Sequence, residues 1–288
     1  MKTFSRSFLA MCLRRMAVSF MMCIAASAAM HAQSLTRSYV ERADSADAYI
    51  KMERWADAER NLKMALRLEP GNPGNALLLS NLGYVQTKLG LIDQALESYA
   101  VSLSIAPRSA VVLSNRALTY IEAGRKEEAM ADLNASLAID STRAMPLRWR
   151  GFLRLSDGDF SGARHDFNAL KTVEPNNPAA FDGLAQCMIH DANPAEAITL
   201  TEKALQLEKS PDRFFLKALL EMENGRLPEA AETLRTAIRD YPREGDLYLL
   251  RARLHELNYR PEDAAIDKKT ALENGADSQL FQQLFGHK

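Results

Sequence analysis

Seven times along the chain a small residue is followed, twelve positions later, by an alanine. The pairs are Ala46/Ala58, Gly83/Ala95, Ala117/Ala129, Gly151/Ala163, Ala185/Ala197, Ala218/Ala230 and Ala252/Ala264. The second alanines recur at intervals of 37, 34, 34, 34, 33 and 34 residues. A fixed period in this range means one supersecondary unit, copied and stacked. Each unit splits into two apolar-periodic stretches, in the second unit 76–89 and 92–105. Gly90 falls between them, and Gly124, Gly158 and Gly225 take the same place in other units. There a helix can end in a left-handed residue without steric cost. Pro70, Pro107, Pro175 and Pro242 close four units, where proline cannot continue a helix. One small residue on each helix lets the two backbones approach closely. Leu62, Tyr99, Leu133, Phe167 and Leu234, each four places after the alanine, then fill the space around them. A single unit cannot bury this face alone, so the copies stack.

The pattern resembles the tetratricopeptide repeat family: a small residue at position 8, alanine at 20, a bulky residue at 24, a small one at 27 and proline at 32. On that register the repeats run over 39–72, 76–109, 110–143, 144–177, 178–211, 211–244 and 245–278. Position 27 is Ala65, Ser102, Ser136, Ala204, Ala237 and Ala271, with Leu170 the exception. Proline is replaced at Ser141, Lys209 and Ala276. The resemblance implies an all-α fold, a right-handed superhelical solenoid of about seven helix-turn-helix units. A short capping helix is expected in 279–288, where Leu280, Phe281, Leu284 and Phe285 share one helical face. If it stays undocked, that face becomes a homodimer contact.

Charge supports the same register. Three units carry arginine at position 7 and aspartate at position 23: Arg116/Asp132, Arg150/Asp166 and Arg251/Asp267. Units with Leu82 or Leu184 at position 7 carry Ser98 or Leu200 opposite. Charge comes with countercharge, so these are read as structural ion pairs. Lys217 faces Thr233 and is expected to reach for solvent.

Residues 1–32 stand apart. Lys2, Arg6, Arg14 and Arg15 precede an uncharged, largely apolar run from Met16 to Met30, and no acid occurs before Glu41. This is the layout of a cleaved secretory signal ending near Ala32, with a solenoid over 33–288. The chain is then exported across an inner membrane to the periplasm, with no stable membrane insertion after cleavage. An uncleaved N-terminal anchor is the alternative. Cys187 is the only cysteine outside this segment and reads as a buried small hydrophobe.

Four of the 36 Lys and Arg residues lie in the signal, and none of the 37 Asp and Glu, so the remainder carries about −5. Nucleic acid is not an expected partner for such a surface. No HExxH, phosphate loop, CxxC or nucleophile elbow occurs. His165, His190 and His255 fall in different units at different repeat positions, without metal-ligand spacing. No catalytic residue, metal site or cofactor is expected.

The resemblance implies that the first helices line a concave groove holding a protein or peptide segment. Its candidate lining is Asn81 and Tyr84 in unit two, Asn115 in unit three, Arg148, Trp149 and Phe152 in unit four, and Gln186 in unit five. Asp182, Phe215 and Arg253 occupy further groove positions. Asn81 and Asn115 share position 6, and an amide offers a peptide backbone both a donor and an acceptor. Arg148 and Trp149 are of the types enriched at binding hot spots. Trp55 falls at a packing position. The implied function is a non-catalytic scaffold in the assembly of a bacterial envelope complex. The alternative is a glycan-binding accessory for polysaccharide uptake or cell-wall metabolism. Its aromatic candidates Tyr84, Trp149 and Phe215 are spread over units two, four and six.

Overall fold

The computed structural model describes residue 34 and residues 36–286. The expected signal segment lies outside the described residues. Among those described, every regular element is an α-helix, fifteen in all. Fourteen form seven helix-turn-helix pairs: α1 (36–51) with α2 (Trp55–Leu68), α3 (Asn75–Lys88) with α4 (Ile92–Ile105), and α5 (Ala110–Glu122) with α6 (Lys126–Ile139). Then follow α7 (Ala144–Ser156) with α8 (Phe160–Val173), α9 (Pro178–His190) with α10 (Pro194–Leu207), and α11 (Pro211–Glu223) with α12 (Leu227–Asp240). The last pair is α13 (Gly245–Leu257) with α14 (Pro261–Glu273), and α15 (Ser278–Phe285) is the last helix among the described residues.

The chain divides into two compact units, one reaching to Ile139 and the other starting at Asp140. In the first, α2 packs on α3 and α4 on α5. In the second, α8 packs on α9, α10 on α11 and α12 on α13.

The turn inside each pair is built from backbone chemistry. Gly90, Gly124, Gly158 and Gly225 have φ of 75°, 70°, 76° and 72°. The other three pairs make the same turn with Glu53, Ala192 and Tyr259, at φ of 55°, 53° and 56°. In α3, Leu91 N–H donates to Gln86 O at 2.8 Å and Gly90 N–H to Thr87 O at 2.9 Å. This two-bond pattern satisfies carbonyls that a helix end leaves open. It recurs without glycine after α13, where Arg260 N–H reaches His255 O at 2.8 Å and Tyr259 N–H reaches Glu256 O at 3.0 Å. Side-chain caps from Ser109, Asp159, Asn177, Asn193 and Ser210 close the N-termini of α5, α8, α9, α10 and α11.

The small-residue pairs lie at the helix contacts. Ala95, Ala129, Ala163, Ala197 and Ala230 have no exposed surface. A Cβ on Gly83 would sit 2.8 Å from the Tyr99 ring, and one on Gly151 would sit 2.8 Å from Phe167. The serines at position 27 add a bond between the two helices of their pair. Ser102 Oγ donates to Ala76 O at 2.6 Å, and Ser136 Oγ donates to Ala110 O at 2.9 Å.

Candidate functional site

The polar framework decides which charged groups remain for a ligand. Arg116 Nε and Nη2 donate to the two carboxylate oxygens of Asp132 at 2.7 and 2.8 Å. Arg251 meets Asp267 in the same two-pronged way, at 2.7 Å for both bonds. Hydrogen bonding to these carboxylates raises both arginine pKa values above the ordinary range. Asp166 has no exposed surface and takes three bonds: two from Arg150, at 2.9 and 2.6 Å, and one from Arg154 at 2.7 Å. The pairing of position 7 with position 23 does not reveal Arg154, which lies one helical turn beyond Arg150. Ser98, opposite Leu82, donates instead to Gln86 Oε1 at 2.7 Å.

Lys217 corrects one sequence expectation. Its ammonium does not reach for solvent. It donates to Thr233 Oγ1 at 3.1 Å and lies 3.0 Å from Glu221, a carboxylate only 1% exposed. Thr233 in turn donates to Glu221 at 2.8 Å. The countercharge comes from Glu221, one turn along the same helix, and from Glu202 of α10 at 3.2 Å, not from the facing helix α12. Asp182 is also committed, accepting from Arg213 Nε and Nη2 at 3.0 and 2.8 Å. Arg253 donates to Glu256 at 3.1 Å.

In the first unit the groove candidates lie on α3 and α5. Tyr84 meets Trp55 edge-on at 5.9 Å, with Lys88 Nζ 5.6 Å above the Tyr84 ring. Both aromatics pack on the core around Leu62 and Leu82. Asn115 Nδ2 donates to Ser80 Oγ at 3.4 Å. Asn81 is half-buried. Asn115 is half-buried as well.

In the second unit the candidates converge on α7 and α9. The Arg148 guanidinium stacks 4.9 Å over the Trp149 ring. Trp149 meets Phe152 at 6.5 Å, and Phe152 meets buried Phe167 at 5.0 Å. Trp149 Nε1 is buried without a hydrogen-bond partner. Phe152 then turns into an open cleft of about 510 Å³ between α7 and α9, shared with Leu155, Phe160, Gln186, Ile189 and His190. His190 stacks flat on Phe160 at 3.6 Å. Ile189 is 40% exposed on this face. The sequence pattern singled out Phe152 and Gln186; Phe160 joins them from the start of α8, and Ile189 and His190 from the end of α9. Cys187, on the same helix, is buried with its Sγ toward Phe160 O at 3.7 Å, and burial raises its thiol pKa.

Among the described residues no group of three or more His, Cys, Asp or Glu is placed to hold a metal ion. No helix among them is long and apolar enough to cross a membrane.

Comparison with known proteins accords with this architecture. One family model described as tetratricopeptide repeat matches residues 44–110 and 215–278, and a second of the same description matches 110–143. No curated protein matches the chain. Among solved structures, a tetratricopeptide repeat protein from Parabacteroides merdae is similar, with 27% identity and a TM-score of 0.65 over 87% of this chain and 98% of that one. PilW, described as a widely conserved type IV pilus biogenesis factor, aligns at 22% identity and TM-score 0.64, over 73% of this chain and 96% of its own. YrrB, described as having an unusual peptide-binding site, aligns at 17% identity and TM-score 0.54, over 67% and 100%. The family matches together span more than half of the 288 residues, and the pairs at 144–211, outside them, keep the same turn and packing. The chain belongs to the tetratricopeptide repeat family.

Proposed function

We propose that this protein is a non-catalytic scaffold that holds a protein or peptide segment against the first helices of its repeats. We place it outside the inner membrane, in the assembly of an envelope complex. The observation that carries the reading is the α7–α9 cleft. Phe152, Phe160 and Ile189 offer an apolar floor, the Gln186 amide lines it, and Trp149, stacked under Arg148, meets the cleft residue Phe152 edge-on. Such a site takes an apolar side chain and hydrogen-bonds the backbone beside it. The basic start followed by an uncharged apolar run supports export. The pilus-biogenesis description of PilW and the peptide-binding description of YrrB support the interaction role by analogy of fold.

The test is a peptide array probed with the wild-type chain and with Arg148→Ala/Trp149→Ala, beside a panel of polysaccharides. We expect defined peptides to bind the wild type and to lose about tenfold or more in affinity with the double variant, as truncated hot spots do. Binding to polysaccharide alone would reverse the reading in favour of glycan.

A further inference from the structure

The last helix does not sit where an eighth repeat would begin. In the second unit Leu205 and Ile238 lie eight places after the second-helix alanine and pack half-buried against the core shared with the next pair. Leu272 holds the same place in α14 and is 59% exposed. α15 packs on α13, as successive first helices do elsewhere, but makes no comparable contact with α14. Asp277 N–H donates to Asp246 Oδ1 at 2.8 Å, which ties the start of α15 to the start of α13. Leu280 lines a cleft of about 310 Å³ with Phe215 of α11 and Leu247 of α13. One turn on, Leu284 lines a second cleft of about 370 Å³ with Leu219, Leu250 and Leu257. α15 therefore lies along the first-helix face of the last two repeats, the face assigned above to a partner.

Its hold there is light. No residue of α15 is buried, and eight residues are too few to keep a helix in water alone. Beyond the backbone bond to Asp246, Lys268 Nζ stands 3.8 Å over the Phe285 ring. The two clefts are also charged in a way α15 does not answer. Asp212, Glu223, Glu244 and Asp246 line them, with Asp277 at the start of α15 itself, and none of the five is ion-paired among the described residues. The single basic residue lining them, Arg253, is bound to Glu256. The sequence of α15, SQLFQQLF, carries no charge. A helix with the same apolar spacing and with lysine or arginine at the glutamine places would keep the packing and add attraction to this rim.

We propose that the α11–α13 face is the docking site for a basic amphipathic helix of a partner protein, and that α15 is a resident plug which that helix displaces. The proposal rests on the reading that first helices form the binding face. It differs in naming the partner's chemistry and an internal competitor. A plug that closes the site most of the time reduces apparent affinity by the fraction left open.

The experiment uses a fluorescein-labelled, stapled copy of residues 277–286 with the three glutamines replaced by lysine, and the native-sequence copy as control. Binding is measured by fluorescence anisotropy to the full chain, to the chain ending at Ala276, and to the full chain with Leu280→Ala/Leu284→Ala. We expect the lysine peptide to bind the shortened chain about tenfold more tightly than the full one, with the double variant in between. It should outbind the glutamine peptide and weaken as salt rises. The double variant keeps α15 in place as sequence, so it decides the matter if the shortened chain does not fold. Equal affinity for full and opened chains overturns the plug, and equal affinity of the two peptides overturns the basic partner. A dimer of the full chain that α15 removal abolishes, without peptide binding, assigns α15 to a second copy and also overturns the proposal. Any of these failures beside an intact Arg148/Trp149 result in the array leaves the first-helix reading standing.

Discussion

Asp166 shows most clearly how single residues hold this molecule together. Its carboxylate is fully buried and answers two guanidinium groups, Arg150 and Arg154. Replacing it with alanine removes the buried carboxylate that both partly buried guanidinium groups bond. We expect Asp166→Ala to lower unfolding free energy by about 3–5 kcal/mol, read from urea denaturation. Asp267→Ala should cost less, because Arg251 is more open to water. Equal, small shifts for both would contradict the account. Part of this framework was legible in the sequence because arginine and aspartate recur sixteen positions apart, on facing helices. Lys217 was misread because its acids, Glu221 four positions away on its own helix and Glu202 in the preceding repeat, lie outside the pairing of position 7 with position 23. The Asp182–Arg213 pair crosses from one repeat to the next, 31 positions apart, and no register within a repeat reveals it.

At the scale of the element, the seven turns share one backbone shape and differ in what adopts it. Four use glycine, and three place a side chain at positive φ. Tyr259 is the clearest case, with φ of 56° and its side chain almost wholly in water. Nothing there compensates the clash between Cβ and backbone. Tyr259→Gly relieves that strain but adds freedom to the unfolded chain. The net expectation is a gain of about 0.5–1 kcal/mol, seen as a higher urea midpoint at constant slope. A fall in the midpoint would show that the tyrosine ring contributes a contact. The glycines marked these turns in the sequence. Glu53 and Ala192 could be placed only by counting along the repeat, since neither residue type favours a left-handed conformation. The existence of a final helix was likewise readable from the spacing of its four apolar residues. Its seat on α13 was not, because that depends on which neighbour it meets and not on its own periodicity.

At the scale of the molecule, the recurrence of small residues implies stacked repeats and the family resemblance implies that they are all-α, and the helix pairs and family matches agree with both. The candidate site was less legible. Groove positions name which side chains share a face, whereas the α7–α9 cleft owes part of its floor to Phe160, which enters from the start of the second helix α8. The central claim is that this first-helix face, rather than the second-helix face, engages the partner. The most direct measurement is the affinity of an array-selected peptide for three chains: wild type, Ile189→Glu in the cleft, and Lys203→Glu on exposed α10. Both substitutions change surface residues, so the fold should be kept in each, with melting temperatures within about 2 °C of wild type. The account predicts a loss of about tenfold or more for Ile189→Glu and little change for Lys203→Glu. Unchanged binding by Ile189→Glu, or an equal loss in both variants, would contradict it.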